Sequence, residues 1–400
     1  MIILDKHYSF LDSYTFPQSG VTLKNRVVIP PMTECMAFHD GTVTDDEIHY
    51  YQKHSGGVGM FITAVANVNA LGKGFEGELS IADDRFIPGL TKLADAIKQN
   101  GTKAVIQIFS AGRMSSTAIL RGQQPVSASA VAAARTGSEV PRALSDEEIK
   151  QTIKDFGSAV RRAITAGFDG VEIHGANTYL IQQFFSPHSN RRTDHWGGSV
   201  EKRMNFPLEV IKECKSVVDQ YATRPFILGY RISPEEIEKP GIQFEDTLRF
   251  VDVLKDQPID YLHVSMGNVW RKSLTDKTVT TPLNETIKTH LDGKLPMIVV
   301  GDVQTPDDAE KASSAGFELV ALGRQSIREP RWVQKVIHGD ETAIRYSISP
   351  DDLDELGIKR PFFDILMLLS GPTGIPLSNS QTTDRDNANA ALDHFLSGGK

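Results

Sequence analysis

The sequence has little cysteine, no cluster of basic residues and no long apolar run. Its 400 residues include two cysteines, Cys35 and Cys214, which lie far apart and do not have a metal-binding spacing. A disulfide framework is therefore not expected. We expect instead that the protein resides in a reducing compartment. The first residues lack the basic stretch and apolar core of a signal peptide. We therefore expect a cytoplasmic protein.

Charge and hydropathy also restrict the partners of this chain. No apolar run approaches the ~18 residues that span a bilayer, so membrane association is not expected. The chain carries 43 basic and 51 acidic residues, a net charge of −8. This balance argues against nucleic acid and anionic membranes as partners. We expect a small-molecule substrate, and the sequence leaves open whether the chain forms a homo-oligomer.

Eight short apolar runs alternate with amphipathic helical segments along most of the chain. The runs are too short and too uniformly apolar for half-exposed antiparallel strands, which predicts a buried parallel sheet. Helix starts lie between them, such as the capping box of Ser145 and Glu148 and the Thr305-Pro306 pair. The predicted strands cover residues 27–30, 60–66, 103–109, 170–174, 226–232, 261–265, 297–301 and 319–323.

Eight strand–helix repeats predict the α/β class and a (β/α)8 TIM barrel. A doubly wound sheet has fewer strands and a G-x-G-x-x-G turn after the first, where this chain has Pro30-Pro31-Met32-Thr33. We expect a single barrel domain over residues 1–345, with a lid-like loop at 113–144 after the third strand. Residues 346–400 would form a C-terminal extension. Its apolar segment at 361–369 is expected to pack on the barrel, and its polar end beyond 371 to be a flexible tail.

Polar residues and glycines follow the predicted strands at their carboxyl ends, which converge on one face of a barrel. Each has an ordinary structural interpretation, since a strand-end histidine is usually structural and Arg324 could form a simple salt bridge. Their coincidence on one rim instead predicts a site. The late glycines with Arg324 are typical of a phosphate site, and Gln107 with Arg231 suits a planar, mononucleotide-like cofactor. The residues concerned are Pro31, Met32, Thr33, Gln107, His174, Asn177, Tyr179, Arg231, Gly301, Gly323 and Arg324.

Two sequence motifs give the chain a resemblance to a known family. They are His174-x-x-Asn177-x-Tyr179-Leu180 and Asn190-x-Arg192-x-Asp194-x-x-Gly197-Gly198-Ser199-x-Glu201-x-Arg203. With them, over about residues 15–340, the chain resembles the Old Yellow Enzyme family of FMN-dependent ene-reductases. The resemblance implies FMN as cofactor, NADH or NADPH as reductant, an activated alkene such as an enone as substrate, and no metal.

The resemblance also implies a role for each site residue. His174 and Asn177 would donate hydrogen bonds to the substrate carbonyl oxygen, and Tyr179 would give a proton to the α-carbon while hydride reaches the β-carbon. Gln107 would bond the pyrimidine edge of the flavin, and Arg231 would lie near its N1. The remaining residues would line the ring (Pro31, Met32, Thr33) or hold the phosphate (Gly301, Gly323, Arg324).

Some features depart from the family pattern, and some alternatives stay open. Asp302 stands where a second glycine is usual, and we expect its side chain to turn away from the phosphate. Cys35 is expected to pack rather than to act in redox chemistry. An iron–sulfur cluster needs a group of cysteine ligands, so two isolated cysteines argue against the related iron–sulfur enzymes. Two alternatives from other functional classes stay open. One is a flavin-free lyase or isomerase that uses the phosphate site for its substrate, and the other is a flavin-binding sensor with little turnover. The sequence does not reveal the physiological substrate or the choice between NADH and NADPH.

Overall fold

The computed structural model describes residues 7–373, and eight parallel strands form its centre. The strands are β1 (Val27–Ile29), β2 (Met60–Asn67), β3 (Lys103–Phe109), β4 (Gly170–Gly175), β5 (Ile227–Ile232), β6 (Tyr261–Val264), β7 (Met297–Val300) and β8 (Leu319–Ala321). Each strand pairs with its neighbours in chain order, and β8 pairs with β1, which closes the sheet. The predicted TIM barrel is confirmed, with every predicted strand present within two residues at each end.

Helices separate the strands and surround the barrel. They are α1 (Asp45–His54), α2 (Ile87–Lys98), α3 (Asp146–Thr165), α4 (Leu180–Phe185), α5 (Val200–Arg203), α6 (Asn205–Tyr221), α7 (Phe244–Leu254), α8 (Leu283–Leu291), α9 (Pro306–Ser314), α10 (Arg324–Arg328), α11 (Trp332–His338), α12 (Leu353–Leu356) and α13 (Arg360–Thr373). No helix within residues 7–373 is both long and apolar enough to cross a bilayer.

Side-chain caps define where several of these helices begin. The Ser145 hydroxyl accepts the Glu148 N–H at 3.2 Å, and the Glu148 carboxylate accepts the Ser145 N–H at 2.8 Å. Thr305 and Asp308 form the same reciprocal pair at the start of α9, with Pro306 at its first position. Both caps satisfy N–H groups that have no partner within the helix. The predicted helix starts are therefore confirmed.

The barrel has one hydrophobic layer inside and another between its strands and helices. Inside, Val28, Met60 and Ile298 belong to one fully buried cluster. The amino-terminal end is closed by a hairpin of Tyr14–Thr15 and Thr22–Leu23. Phe16 of this hairpin is completely buried, and its ring lies 5.8 Å from that of Tyr261. Because this end is closed, the open mouth of the barrel lies at the carboxyl ends of the strands.

Two segments outside the repeat reach the barrel mouth. The loop 113–144 contains a short parallel ladder of Val126–Ser127 with Arg142–Ala143. In α13, Phe362 is buried and packs edge-on against Tyr50 of α1, with ring centres 5.3 Å apart. The expected packing of the apolar segment on the barrel is confirmed for Phe362. The predicted flexible tail falls almost entirely on residues outside those described, and the domain boundary at 345 stays a prediction.

Candidate active site

A cavity of about 260 Å³ lies at the carboxyl ends of the strands. This volume approaches that of the smaller ligand sites in proteins, ~300 Å³. All eleven predicted site residues line it, although they come from six strand ends spread over almost 300 residues of chain. The residues that complete its wall are Pro30, Val65, Arg135, Met266, Val300, Asp302, Val303, Gln304, Gln325, Ile327, Phe362, Ile365 and Leu366.

Strand register determines which side chains meet beneath this cavity. Gln107 of β3 lies opposite Glu172 of β4, and one level higher Arg231 of β5 lies opposite both His174 and His263. Because strand side chains alternate, Glu172 and His174 point to the same side, into the barrel. The polar residues therefore form two successive layers under the mouth, where barrel interiors normally hold branched aliphatic side chains.

Glu172 is the centre of the lower layer. Its carboxylate accepts hydrogen bonds from Gln107 Nε2 at 2.6 Å, from the Tyr261 hydroxyl at 3.0 Å and from His263 Nδ1 at 2.8 Å. Tyr261 reaches it across Gly229, where a Cβ atom would lie only 2.1 Å from the tyrosine ring. Burial alone would raise the pKa of Glu172, but His263 and the Arg231 charge hold it below its usual value. Glu172 is therefore ionised.

This network orients the groups that face the cavity. Since the Gln107 Nε2 group donates to Glu172, its Oε1 is left to accept from a ligand N–H. Arg231 donates from Nη2 to Ser265 Oγ at 3.0 Å, and its Nε is buried without a hydrogen-bond partner. A buried donor without an acceptor is costly unless a ligand supplies one. An acceptor from Gln107 and a charged donor from Arg231 together suit the edge of a planar heterocycle.

His174 and Asn177 are both fixed as hydrogen-bond donors. The Ala176 N–H donates to His174 Nδ1 at 3.3 Å, so the proton of this ring lies on Nε2. Burial and the Arg231 charge lower the pKa of His174 well below its ordinary value, so the ring is neutral. Asn177 Oδ1 accepts from Ser265 Oγ at 2.9 Å, which leaves its Nδ2 group to donate. Two neutral donors on one wall can bind a carbonyl oxygen.

The turn that presents Asn177 is strained. Asn177 and Thr178 both have positive φ angles, 56° and 67°, and a β-branched residue rarely adopts this conformation. Neighbouring side chains hold the turn: Ser233 Oγ accepts the Asn177 N–H at 2.9 Å, and Gln182 Oε1 accepts the Thr178 N–H at 3.0 Å. Gln183 Nε2 also donates to the Thr178 carbonyl at 2.7 Å. Such strain concentrates at functional sites.

Tyr179 follows this turn and stands beside His174. Its ring contacts Phe109 and His174 edge-on, with centroids 5.0 and 5.1 Å apart. Burial raises the pKa of the Tyr179 phenol above its ordinary value, which keeps it protonated at neutral pH. A protonated phenol next to two carbonyl-binding donors can give a proton to a bound substrate.

The opposite end of the cavity combines bare backbone with a guanidinium group. Gly301 has a φ of 127°, and a Cβ there would lie 2.4 Å from the backbone nitrogen of Asn268, so no larger residue fits. Gly323 precedes α10, and Arg324 is the first residue of that helix. These groups suit a phosphate. We expected the Asp302 side chain to turn away from the phosphate, and this is wrong. Its Oδ1 lies 3.7 Å from Arg324 Nη2 and accepts from Gln304 Nε2 at 2.7 Å, so these two donors hold it beside Arg324.

Sequence reasoning missed three parts of this site. The interior carboxylate Glu172 carried a signal, since a charged residue within the apolar run Val171-Glu172-Ile173 must have partners. Helix α13 contributes Phe362, Ile365 and Leu366 to the wall, and its apolar composition indicated packing but not where it would pack. Arg135 gave no signal, because a loop arginine is ordinarily a solvated surface group.

The environment of Cys35 disfavours thiol chemistry. Burial and the nearby Glu34 carboxyl raise the pKa of Cys35 to about 12, so its thiol is not ionised at neutral pH. This agrees with a packing role for Cys35. No group of three or more potential metal ligands occurs within residues 7–373.

The residues present fit a flavin mononucleotide, with an amide acceptor and an arginine for its ring and bare glycines with Arg324 for its phosphate. The fold and this cavity together are those of a flavin-binding barrel protein. The chain belongs to the NADH:flavin oxidoreductase / NADH oxidase family, whose model matches residues 17–343. Its family implies FMN as cofactor, and the resemblance to the Old Yellow Enzyme family is confirmed.

Individual relatives support this assignment. The chain is 47% identical to the NADH:acrylate oxidoreductase of Vibrio harveyi over 87% of its own length, but it spans only 35% of that protein. It is 42% identical to the probable NADH-dependent flavin oxidoreductase YqiG of Bacillus subtilis, covering 92% of this chain and 98% of YqiG. The solved Old Yellow Enzyme homologue of Zymomonas mobilis has a TM-score of 0.75 and 26% identity, covering 88% and 97% of the two chains.

Proposed function

We propose that the protein reduces activated alkenes, with NADH or NADPH as the source of hydride. FMN would accept this hydride and pass it to the β-carbon of an α,β-unsaturated carbonyl compound or a similar alkene. The observation that carries the proposal is the fixed donor orientation of His174 and Asn177 beside a protonated Tyr179. The name of the acrylate-reducing relative supports this substrate class, because acrylate is an α,β-unsaturated acid.

Each of the three residues has a distinct task. The Nε2–H of His174 and the Nδ2 group of Asn177 bind the carbonyl oxygen and stabilise the negative charge that develops there. Tyr179 supplies the proton that the α-carbon requires. Because Ser265 bonds both Arg231 and Asn177, it links the flavin-binding side of the cavity to the substrate-binding side.

The small size of the cavity also limits the order in which nicotinamide and alkene can bind. One small cavity contains both the carbonyl-binding pair and the expected flavin site, so nicotinamide and alkene should exclude each other and turnover should be ping-pong. Helix α13 covers part of this cavity with apolar side chains, which limits the access of water to the reacting atoms. Cytoplasmic location stays a prediction.

The experiment that tests the proposal is Tyr179→Phe, followed by separate measurement of the two half-reactions. The change keeps the ring contacts with Phe109 and His174 and removes only the hydroxyl. Reduction of the flavin by NADH or NADPH should be nearly unchanged, whereas its reoxidation by an enone should slow by roughly 10²–10⁴-fold, the usual contribution of a general acid. Equal losses in both half-reactions would show that Tyr179 is not the proton donor. A holoenzyme that no enone reoxidises would instead support a flavin-binding sensor.

A further inference from the structure

The lid-like loop contributes a single charged side chain to the cavity. Of residues 113–144, all of which the structure describes, Arg135 is the one that lines the wall. Its side chain is half-buried, although arginine in a surface loop is normally solvated. Burial lowers the pKa of Arg135, and its guanidinium remains a cation at neutral pH. A cation held at the edge of a substrate cavity is suited to recognise an anion.

Arg135 and Tyr179, the residue that would protonate the substrate, line the same cavity, and their charges interact. Burial raises the pKa of Tyr179, and the Arg135 charge is the largest influence that lowers it. Two other arginines line the cavity: Arg231 donates to Ser265, and Arg324 lies 3.7 Å from Asp302. His174 is neutral. Arg231 also lowers the pKa of Tyr179, but less than Arg135 does, so Arg135 is the stronger positive charge acting on this phenol.

The charge of one protein carboxyl group also acts on this guanidinium. Glu238 lies near enough to Arg135 for their charges to interact. Burial and the neighbouring Glu236 raise the pKa of Glu238 to about 7, which disfavours its ionised form. A ligand carboxylate with an ordinary pKa would be fully ionised and could form the parallel hydrogen bonds that guanidinium groups favour. Such a ligand would interact with Arg135 more strongly than a protonated Glu238 does.

We propose that Arg135 forms an anion subsite beside Tyr179 that binds a carboxylate carried by a substituent on the α-carbon of the alkene. The assignment rests on the proposed function, because the α-carbon is the atom that Tyr179 would protonate and its substituents must pass this residue. The protein would then prefer unsaturated carbonyl compounds with a second, acidic group over neutral enones of the same shape.

A binding experiment tests the subsite without turnover. In a phenol bound by His174 and Asn177, the carbon next to the hydroxyl-bearing carbon takes the place of the α-carbon. 2-Hydroxyphenylacetate and its methyl ester are therefore titrated into the oxidised FMN holoenzyme and followed by the flavin spectrum. The wild-type protein should bind the acid at least tenfold more tightly than the ester. Arg135→Gln should bring this ratio close to one, and Arg135→Lys should keep part of it.

The control is Arg121→Gln, in the same loop. Arg121 is exposed, pairs with Glu76 at 2.6 Å and does not line the cavity, so its loss should leave the acid-to-ester ratio unchanged. A wild-type ratio near one, or a ratio that survives Arg135→Gln, would overturn the subsite. A ratio lost equally in Arg121→Gln would also overturn it, since a general change in surface charge would then explain the effect.

Kinetics separate the subsite from two other roles of Arg135. With a cyclohexenone that carries a carboxymethyl group on its α-carbon, and with its methyl ester, Arg135→Gln should raise KM for the acid at least tenfold and leave the ester unaffected. Equal slowing of acid and ester would show that Arg135 acts on Tyr179 instead. A raised KM for NADH would show that Arg135 binds the nicotinamide coenzyme. If the wild-type holoenzyme reduces neither enone, the proposed function fails, and the phenol titration still decides the subsite.

Discussion

Replacement of Glu172 by glutamine tests how the barrel interior supports the flavin site. In the folded protein this carboxylate accepts from Gln107, Tyr261 and His263 at 2.6, 3.0 and 2.8 Å. Glutamine offers one acceptor oxygen and introduces an NH2 group. At least one of the three buried donors then loses its acceptor, which costs about 1–3 kcal/mol. The thermal midpoint of Glu172→Gln should fall accordingly.

The same substitution should weaken flavin binding and change its reduction. Gln107 would no longer be held with Oε1 towards the cavity, and loss of one hydrogen bond worth about 1 kcal/mol corresponds to roughly fivefold in FMN affinity. Removal of the negative charge near Arg231 should also favour the reduced, more negative flavin, so the reduction potential should become more positive. Fluorescence titration with FMN and equilibration with a reference dye measure the two effects.

Glu235→Gln is the matched control for this prediction. Glu235 is another fully buried carboxylate, accepting from Ser273 at 2.7 Å and Thr275 at 2.8 Å, but unlike Gln107 neither of these donors lines the cavity. Its replacement should lower stability without altering FMN affinity or potential. If Glu172→Gln binds FMN as the wild-type protein does, with the same potential, then the buried layer does not orient the flavin site and the reasoning is refuted.

Two further predictions concern the substrate wall and the pH dependence of stability. Replacing His174 and Asn177 together by alanine removes both carbonyl-binding donors, so the affinity of the oxidised holoenzyme for phenol should fall by roughly 10- to 100-fold, and unchanged affinity would exclude the carbonyl clamp. Burial raises the pKa of Glu47 from 4.5 to about 8, so the folded state retains this proton and stability should fall as the pH rises through that interval. The glutamine of Glu47→Gln cannot ionise in this interval. The thermal midpoint of the variant should therefore match that of the wild type at pH 5 and exceed it at pH 8.5. Identical dependence of the two midpoints on pH would contradict this.

The barrel itself could be predicted from the sequence because its signals are local. Apolar strands and capped helix starts such as Ser145–Glu148 depend on neighbouring residues, and eight repeats leave few alternatives to a closed barrel. The rim residues followed from the same rule, since the carboxyl ends of parallel strands must meet. The resemblance supplied their roles, which composition and periodicity alone do not give.

The remaining features depend on contacts between distant parts of the chain. Glu172 meets Tyr261 only because Gly229 leaves space between them, and a single sequence does not reveal which glycine faces which ring. Asp302 lies beside Arg324 because the folded loop provides it with donors there. The position of Arg135 depends on the path of a 32-residue loop, and that of Phe362 on how α13 packs against α1.

The central claim is that a flavin lies in the barrel mouth with its phosphate bound by Arg324, and titration of the apoprotein with FMN and riboflavin tests it most directly. The wild-type protein should bind FMN more tightly than riboflavin. Arg324→Gln should reduce FMN affinity by roughly 10- to 100-fold, as expected for a charged hydrogen bond of about 1.5–3 kcal/mol, and leave riboflavin affinity nearly unchanged. Absence of flavin binding, or equal affinity for the two flavins in the wild-type protein, would contradict the claim.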